Sequence, residues 1–135
     1  MNTKSKGGIS EAKVLSRVLE LGKTAFIPFG ENTGIDLIVQ DGNNLVRVQT
    51  KTGRKVNNSI EFAGVSTYKI NGKNVIKNYD GKIDLFAVYY PPLDKVYFMP
   101  LALARGKSKI YLSFAASSRH PDVKLATNFE QWKVN

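Results

Sequence analysis

Apolar and β-branched residues alternate with polar ones through 34–39 and again through 45–51, which predicts two strands. Asp41-Gly42 lies between them and favours a tight hairpin. Successive strand side chains face opposite ways, so Leu45, Arg47, Gln49 and Lys51 share one side, beside the strand that carries Asp36. Val46, Val48 and Thr50 share the other and can enter a core. Upstream, Val14, Leu15, Val18 and Leu19 recur at three- and four-residue steps and predict a helix over 10–21 with one apolar stripe. Gly22 suits its left-handed cap. At about 100° per residue, Glu11 falls near the middle of that stripe, one turn ahead of Val14 and Leu15. Lys13, Ser16, Arg17 and Glu20 take the opposite side. Glu11 has plain readings: it favours the helix N-terminus by ~0.3–1 kcal/mol, or the helix starts a turn later and leaves it exposed. The other reading is a carboxylate aimed at a site.

The remaining pattern is mostly strand and turn. Residues 1–8 read as a polar arm carrying Lys4 and Lys6, 24–29 as a short strand with Pro28 marking an edge, and 30–34 as loop. A basic, glycine-bearing stretch with Arg54 and Lys55 follows Lys51, then a short strand at 60–62. Residues 67–77 alternate around Asn71-Gly72, the pair that a type I′ hairpin turn requires. Its arms carry Lys69, Lys73 and Lys77. A basic two-stranded ribbon fits a DNA major groove, with Tyr68 and Tyr79 against sugar or base; a lysine-guarded hairpin kept from aggregating has the same pattern. Residues 83–90 form a strongly apolar, central strand, and 95–99 return beside it after a turn at 91–94. A single helical turn at 101–104, a basic loop, a strand at 110–114, a loop holding His120 and a short helix over 126–132 that docks Trp132 complete the chain. Tyr89, Tyr90 and Tyr97 read as packing. One helix, a run of strands and a mixed tail predict an α+β or α/β domain with a mixed sheet, a single domain over 1–135 with a hairpin insertion around 65–79.

Composition narrows the chemistry. A chain of 135 residues can bury one sizeable core. The formal net charge of +9 favours polyanions, nucleic acid before an anionic membrane, unless it serves solubility alone. There is no cysteine, which excludes disulfides, thiolate zinc sites and a thiol nucleophile, and suits a cytoplasmic protein. A single histidine excludes multi-histidine metal centres. Any metal is then expected to be hard and oxygen-ligated, magnesium first. No apolar run is long enough for a membrane span and no leader pattern opens the chain.

An acid on one strand, and a carboxamide and an ammonium two residues apart on its neighbour, suit metal-dependent phosphodiester cleavage. Gln49 and Lys51 sit at the mouth of a buried-looking strand, where a polar pair needs a reason. Residues 6–11 (Lys-Gly-Gly-Ile-Ser-Glu), 35–39 (Ile-Asp-Leu-Ile-Val) and 48–53 (Val-Gln-Thr-Lys-Thr-Gly) resemble the PD-(D/E)XK nuclease superfamily. More narrowly, they are similar to its branch of group I intron homing endonucleases, in which glutamine replaces the second acid. Residues 83–89 and 95–100 extend the resemblance, which covers about 5–104.

The resemblance implies a restriction-endonuclease-like αβββαβ core with a mixed sheet, and magnesium-dependent hydrolysis of double-stranded DNA. It assigns the catalytic set to Glu11, Asp36, Gln49 and Lys51. Asp36 would be the bridging metal ligand, Gln49 a neutral second one, and Glu11 a ligand to metal or metal-bound water. Lys51 would orient or help deprotonate the attacking water and steady the charge on the phosphorane. A dimer or tetramer would supply the two sites that two strands need, and no membrane role is implied. Contacts to DNA are expected from Lys4, Lys6, Arg54, Lys55, Tyr68, Lys69, Lys73 and Lys77. Two departures stand out: Ile35 in the proline position, and Gln49, which removes a negative charge from the ligand set. A junction-resolving or other structure-selective endonuclease on the same core, or a non-catalytic basic DNA-binding protein, fits the same residues.

Overall fold

The Asn2 side chain accepts the Ser5 N–H at 2.8 Å and opens helix α1 (Thr3–Glu20), the first element of a computed structural model that describes residues 2–30, 33–120 and 122–135. The polar arm expected over 1–8 is therefore helix from Thr3, with Met1 outside the described residues. Apolar periodicity reports only the buried part of a helix, and burial here begins at Ser10. The buried line runs Ser10, Val14, Val18, at steps of four. It is narrower than the stripe read from sequence: Leu15 is half-buried and Leu19 is 56% exposed. Gly22, at φ +77°, ends the helix as expected.

The chain then lays down β1 (Thr24–Phe26), β2 (Leu37–Asp41), β3 (Asn44–Thr52), β4 (Arg54–Val56), β5 (Ser59–Ala63), β6 (Val65–Ile70), β7 (Lys73–Asn78), β8 (Leu85–Tyr90), β9 (Lys95–Pro100) and β10 (Lys109–Ser113). The main sheet has the order β1-β2-β3-β8-β9, antiparallel except for the parallel pair β3/β8. β1 is an edge strand and stops at Phe26, ahead of Pro28, which has no N–H for a ladder. β8 is buried throughout and inner, although β3 holds the middle. β2 and β3 pair up to Asp41 and Asn44, leaving a two-residue turn at Gly42-Asn43. Asn71 (φ +52°) and Gly72 (φ +77°) both take the positive φ of a type I′ turn between β6 and β7.

One face of the sheet packs Val46, Val48, Leu85, Ala87 and Phe98 against Val14 and Val18 of α1. The other packs Phe86, Val88, Tyr90 and Met99 against Ile60, Phe62, Ile110 and Leu112 of a second sheet, β10-β5-β4. The α+β class with a mixed sheet stands as expected, with one difference from the implied αβββαβ order. Among the described residues, no α-helix stands between parallel strands β3 and β8; β4 to β7 make that connection. A parallel pair must be covered on both faces, and the short strands β5 and β10 cover the second one. The helix expected over 126–132 is only a 3-10 turn (Ala126–Phe129). Trp132 still docks, its ring 5.3 Å from Phe98 and its Nε1–H donating to Asp41 Oδ2 at 3.0 Å. Among the described residues no helix is long and apolar enough to cross a membrane.

Candidate active site

β3 presents Arg47, Gln49 and Lys51 on the face away from α1, half-buried because the second sheet approaches from that side. Arg47 is committed to structure. Its guanidinium meets Asp84 Oδ1 at 3.0 Å and the Gly81 carbonyl at 2.8 Å, which ties β3 to the start of β8. Gln49 is different: its Oε1 is buried and, among the described residues, has no hydrogen-bond partner. A buried carbonyl oxygen without a donor is costly unless something electropositive occupies the space before it.

Asp36 stands just before β2. Its own N–H donates to the Val48 carbonyl at 2.9 Å, and its Oδ2 accepts the Thr50 N–H at 2.8 Å. The carboxylate thus lies against the stretch of β3 that bears Gln49 and Lys51. Burial pushes the Asp36 carboxyl above the ordinary range, opposed by the Thr50 N–H and the Lys51 charge. Glu11 reaches the same point from α1. It sits one residue off the buried helical line and stays open to solvent, but its carboxyl is near enough to Asp36 for the two groups to act on each other's protonation. Partial burial and then the neighbouring negative charge push Glu11 upward too. Lys51 donates from Nζ to the Tyr79 hydroxyl at 2.8 Å and the Val65 carbonyl at 3.3 Å. Burial lowers its pKa to about 8, against the pull of Asp36.

Four side chains from helix α1, strand β3 and the residue before β2 therefore converge, although 40 positions separate Glu11 from Lys51 (51 − 11). Two neighbouring carboxyls repel when both ionise, and a shared proton or a cation relieves this. Among the described residues no group of three carboxylate, histidine or cysteine side chains stands together. The available donor set is two carboxylates and one carboxamide oxygen. That all-oxygen set fits magnesium, and the orphaned Gln49 Oε1 is the observation that argues for it.

Asp36 and Gln49 open into a cleft of about 810 Å³, also lined by Tyr68, Lys77, Tyr79 and Lys82. Tyr68 and Lys77, both expected to meet DNA, are thus beside the site. Antiparallel pairing puts Ser66 and Lys77, Tyr68 and Val75, and Ile70 and Lys73 on one face of the β6–β7 hairpin. Lys69 pairs with Asn74 on the opposite face. Lys4, Lys6 and Lys55 are exposed. Arg54 forms a 2.8 Å ion pair with the buried Glu61, whose carboxyl it holds below the usual range, so much of its charge is already answered. Tyr79 departs from the reading as a DNA-packing aromatic: it is 5% exposed and packed edge-on against Phe86. Its link to Lys51 has no signal in the sequence pattern, because 28 residues separate the two.

A bacterial homing endonuclease of solved structure, I-Ssp6803I, is similar to this chain with a TM-score of 0.77 over 96% of this chain and 88% of the other, at 22% identity. At that identity the likeness is one of fold. No curated protein is significantly similar in sequence. The sequence itself matches the family described as PD-(D/E)XK endonuclease over residues 1–133, and with nearly its whole length so matched, the chain belongs to that endonuclease family.

Proposed function

We propose that the protein is a site-specific endonuclease of the homing type, cutting double-stranded DNA with magnesium. The observation that carries this reading is the convergence of Glu11, Asp36 and the buried Gln49 Oε1, which has no donor among the described residues, beside Lys51. Two further facts support it: the similar fold belongs to a bacterial homing endonuclease, and the net charge of +9 suits a polyanion. Asp36, Gln49 and Glu11 would hold the ion. When bound, it supplies Lewis-acid charge at the scissile phosphate.

The chain's own residues perform the rest. The Thr50 N–H pins one oxygen of Asp36, which lines the cleft. With its pKa near 8, Lys51 holds or releases a proton at Nζ close to neutral pH, so it can take the attacking water's proton or offset charge on the pentacoordinate phosphate. Hydrolysis forms a bond from the water oxygen to phosphorus and breaks the bond to the leaving oxygen. Tyr68 and Lys77 lie where a duplex would pass along the cleft. One chain offers one such site, so we propose a dimer or tetramer for cutting both strands.

The test is incubation of purified protein with magnesium and a randomised duplex library. The expected result is cleavage at one discrete sequence, lost without magnesium and lost in Lys51→Ala and Asp36→Asn, both of which still bind DNA. Intact duplex, or cleavage untouched by Lys51→Ala, overturns the reading. Preferential cutting of a four-way junction in competition with linear duplex would instead assign a structure-selective enzyme.

A further inference from the structure

The β6–β7 hairpin holds one lysine from both of its feet. Val65 opens β6, and Tyr79 follows Asn78, the last residue of β7. Lys51 reaches between them, donating to the Tyr79 hydroxyl and to the Val65 carbonyl. The Lys51 Nζ lies 4.8 Å from the Tyr79 ring centroid and 2.8 Å from its hydroxyl. Together these distances put the nitrogen beyond the phenol oxygen and not above the ring face, so the contact is a hydrogen bond.

An ammonium has three N–H donors in fixed tetrahedral directions. With two held by the hairpin feet, the direction of the third is set, and Asp36 is near enough for its charge to act on the lysine. Tyr79 is itself fixed, buried with its ring 5.5 Å from that of Phe86. Ser66 and Asn78, next to the two feet, line the same cleft as Asp36 and Gln49. A duplex in that cleft touches the hairpin beside the residues that hold the lysine.

We propose that Tyr79 is a positioning residue, which fixes where Lys51 points and makes that placement depend on the seating of the β6–β7 hairpin on DNA. The proposal rests on the nuclease reading above. Val65 acts through its backbone, so Tyr79 is the half that substitution can separate. Tyr79→Phe keeps the ring and its packing and removes only the hydroxyl.

The experiment compares wild type, Tyr79→Phe and a variant whose hairpin is shortened by deleting residues 69–74. Three readouts are taken: single-turnover cleavage at saturating duplex, duplex affinity without magnesium, and the side-chain ammonium NMR signal of Lys51 at about pH 6, where the group is charged. Tyr79→Phe should slow cleavage between about 10- and 100-fold with affinity within about twofold of wild type. It should also abolish the slowly exchanging Lys51 ammonium signal, identified in wild type by its loss in Lys51→Arg. The shortened hairpin should likewise cut more slowly at saturation. Wild-type cleavage with an unchanged rate in Tyr79→Phe overturns this inference alone; an unchanged saturated rate in the shortened variant overturns the coupling. Wild type that cuts no duplex removes the nuclease reading and this inference with it. Should Tyr79→Phe fail to fold, the wild-type spectrum decides, and absence of a held Lys51 ammonium overturns the proposal.

Discussion

The Thr50 N–H and the Asp36 carboxylate meet at 2.8 Å, joining the C-terminal part of β3 to the residue that leads into β2. This bond sets Asp36 in place before any ion arrives, and it does so at a cost. Burial raises the Asp36 pKa, so the folded chain binds a proton there more readily than the unfolded chain. Stability from this group is present below its unfolded pKa and is lost as pH rises through the folded value. At neutral pH the metal-free site is therefore under electrostatic strain.

Asp36→Asn tests that strain directly. The amide oxygen can still accept from Thr50, so the fold should survive, and the metal-free variant should melt at a higher temperature than wild type at pH 7. Magnesium should raise the melting temperature of wild type and leave that of the variant unchanged. Cleavage should fall on the order of 10³-fold. Calorimetric scans with and without magnesium, beside a cleavage assay, check all three.

Lys51 has the opposite sign. Its folded pKa, about 8, lies below the ordinary 10.5, so the unfolded chain binds more protons between those values. Its contribution to stability is present above 10.5 and is lost as pH falls through about 8. The stability of wild type relative to Lys51→Met should therefore rise by up to about 3 kcal/mol between pH 8 and 10.5. Urea unfolding of both proteins across that range measures it; a constant difference would place the lysine in water.

Hairpin faces should separate in DNA binding. Lys73 and Lys77 share the face of Tyr68, which lines the cleft, and Lys69 does not. Lys73→Ala with Lys77→Ala should reduce the salt slope of log K by about 2. Lys69→Ala should change it less. Affinity measured at several salt concentrations distinguishes the two faces.

Gly64 anchors the foot of the hairpin by close approach: a Cβ there would lie 2.3 Å from the Lys107 carbonyl oxygen and 2.8 Å from Ile110. Backbone cannot yield as a side-chain end can. Gly64→Ala should cost about 1–3 kcal/mol in denaturant unfolding. It should also slow cleavage at saturating DNA, because Val65 is the next residue and its carbonyl holds Lys51.

Much of this molecule is legible in the pattern of its residues. The Asn71-Gly72 turn, the alternation of β3 and the apolar run that becomes β8 are local properties, and each appears where local physics puts it. The helix start was not legible, because two exposed turns beginning at Thr3 carry no apolar period, and a cap by Asn2 leaves only a weak mark. Nor was the pairing of β5 with β10, by which a second sheet covers one face of the first, because these two strands lie far apart in the chain. Arg54, basic in sequence, pairs with Glu61 only because β4 and β5 bring them opposite each other.

By itself the sequence determined the chemistry on offer: no thiol, one histidine, an excess of positive charge, and an acid, a carboxamide and a lysine on neighbouring strands. Strand alternation alone put Gln49 and Lys51 on one side of β3. The tertiary structure decided the rest: that Glu11 comes near Asp36, that Gln49 Oε1 is buried with no donor among the described residues, and that Tyr79 holds the lysine from 28 residues away. Periodicity assigns a side chain to a face of its own element, whereas burial, pKa and partners depend on what other elements bring against that face.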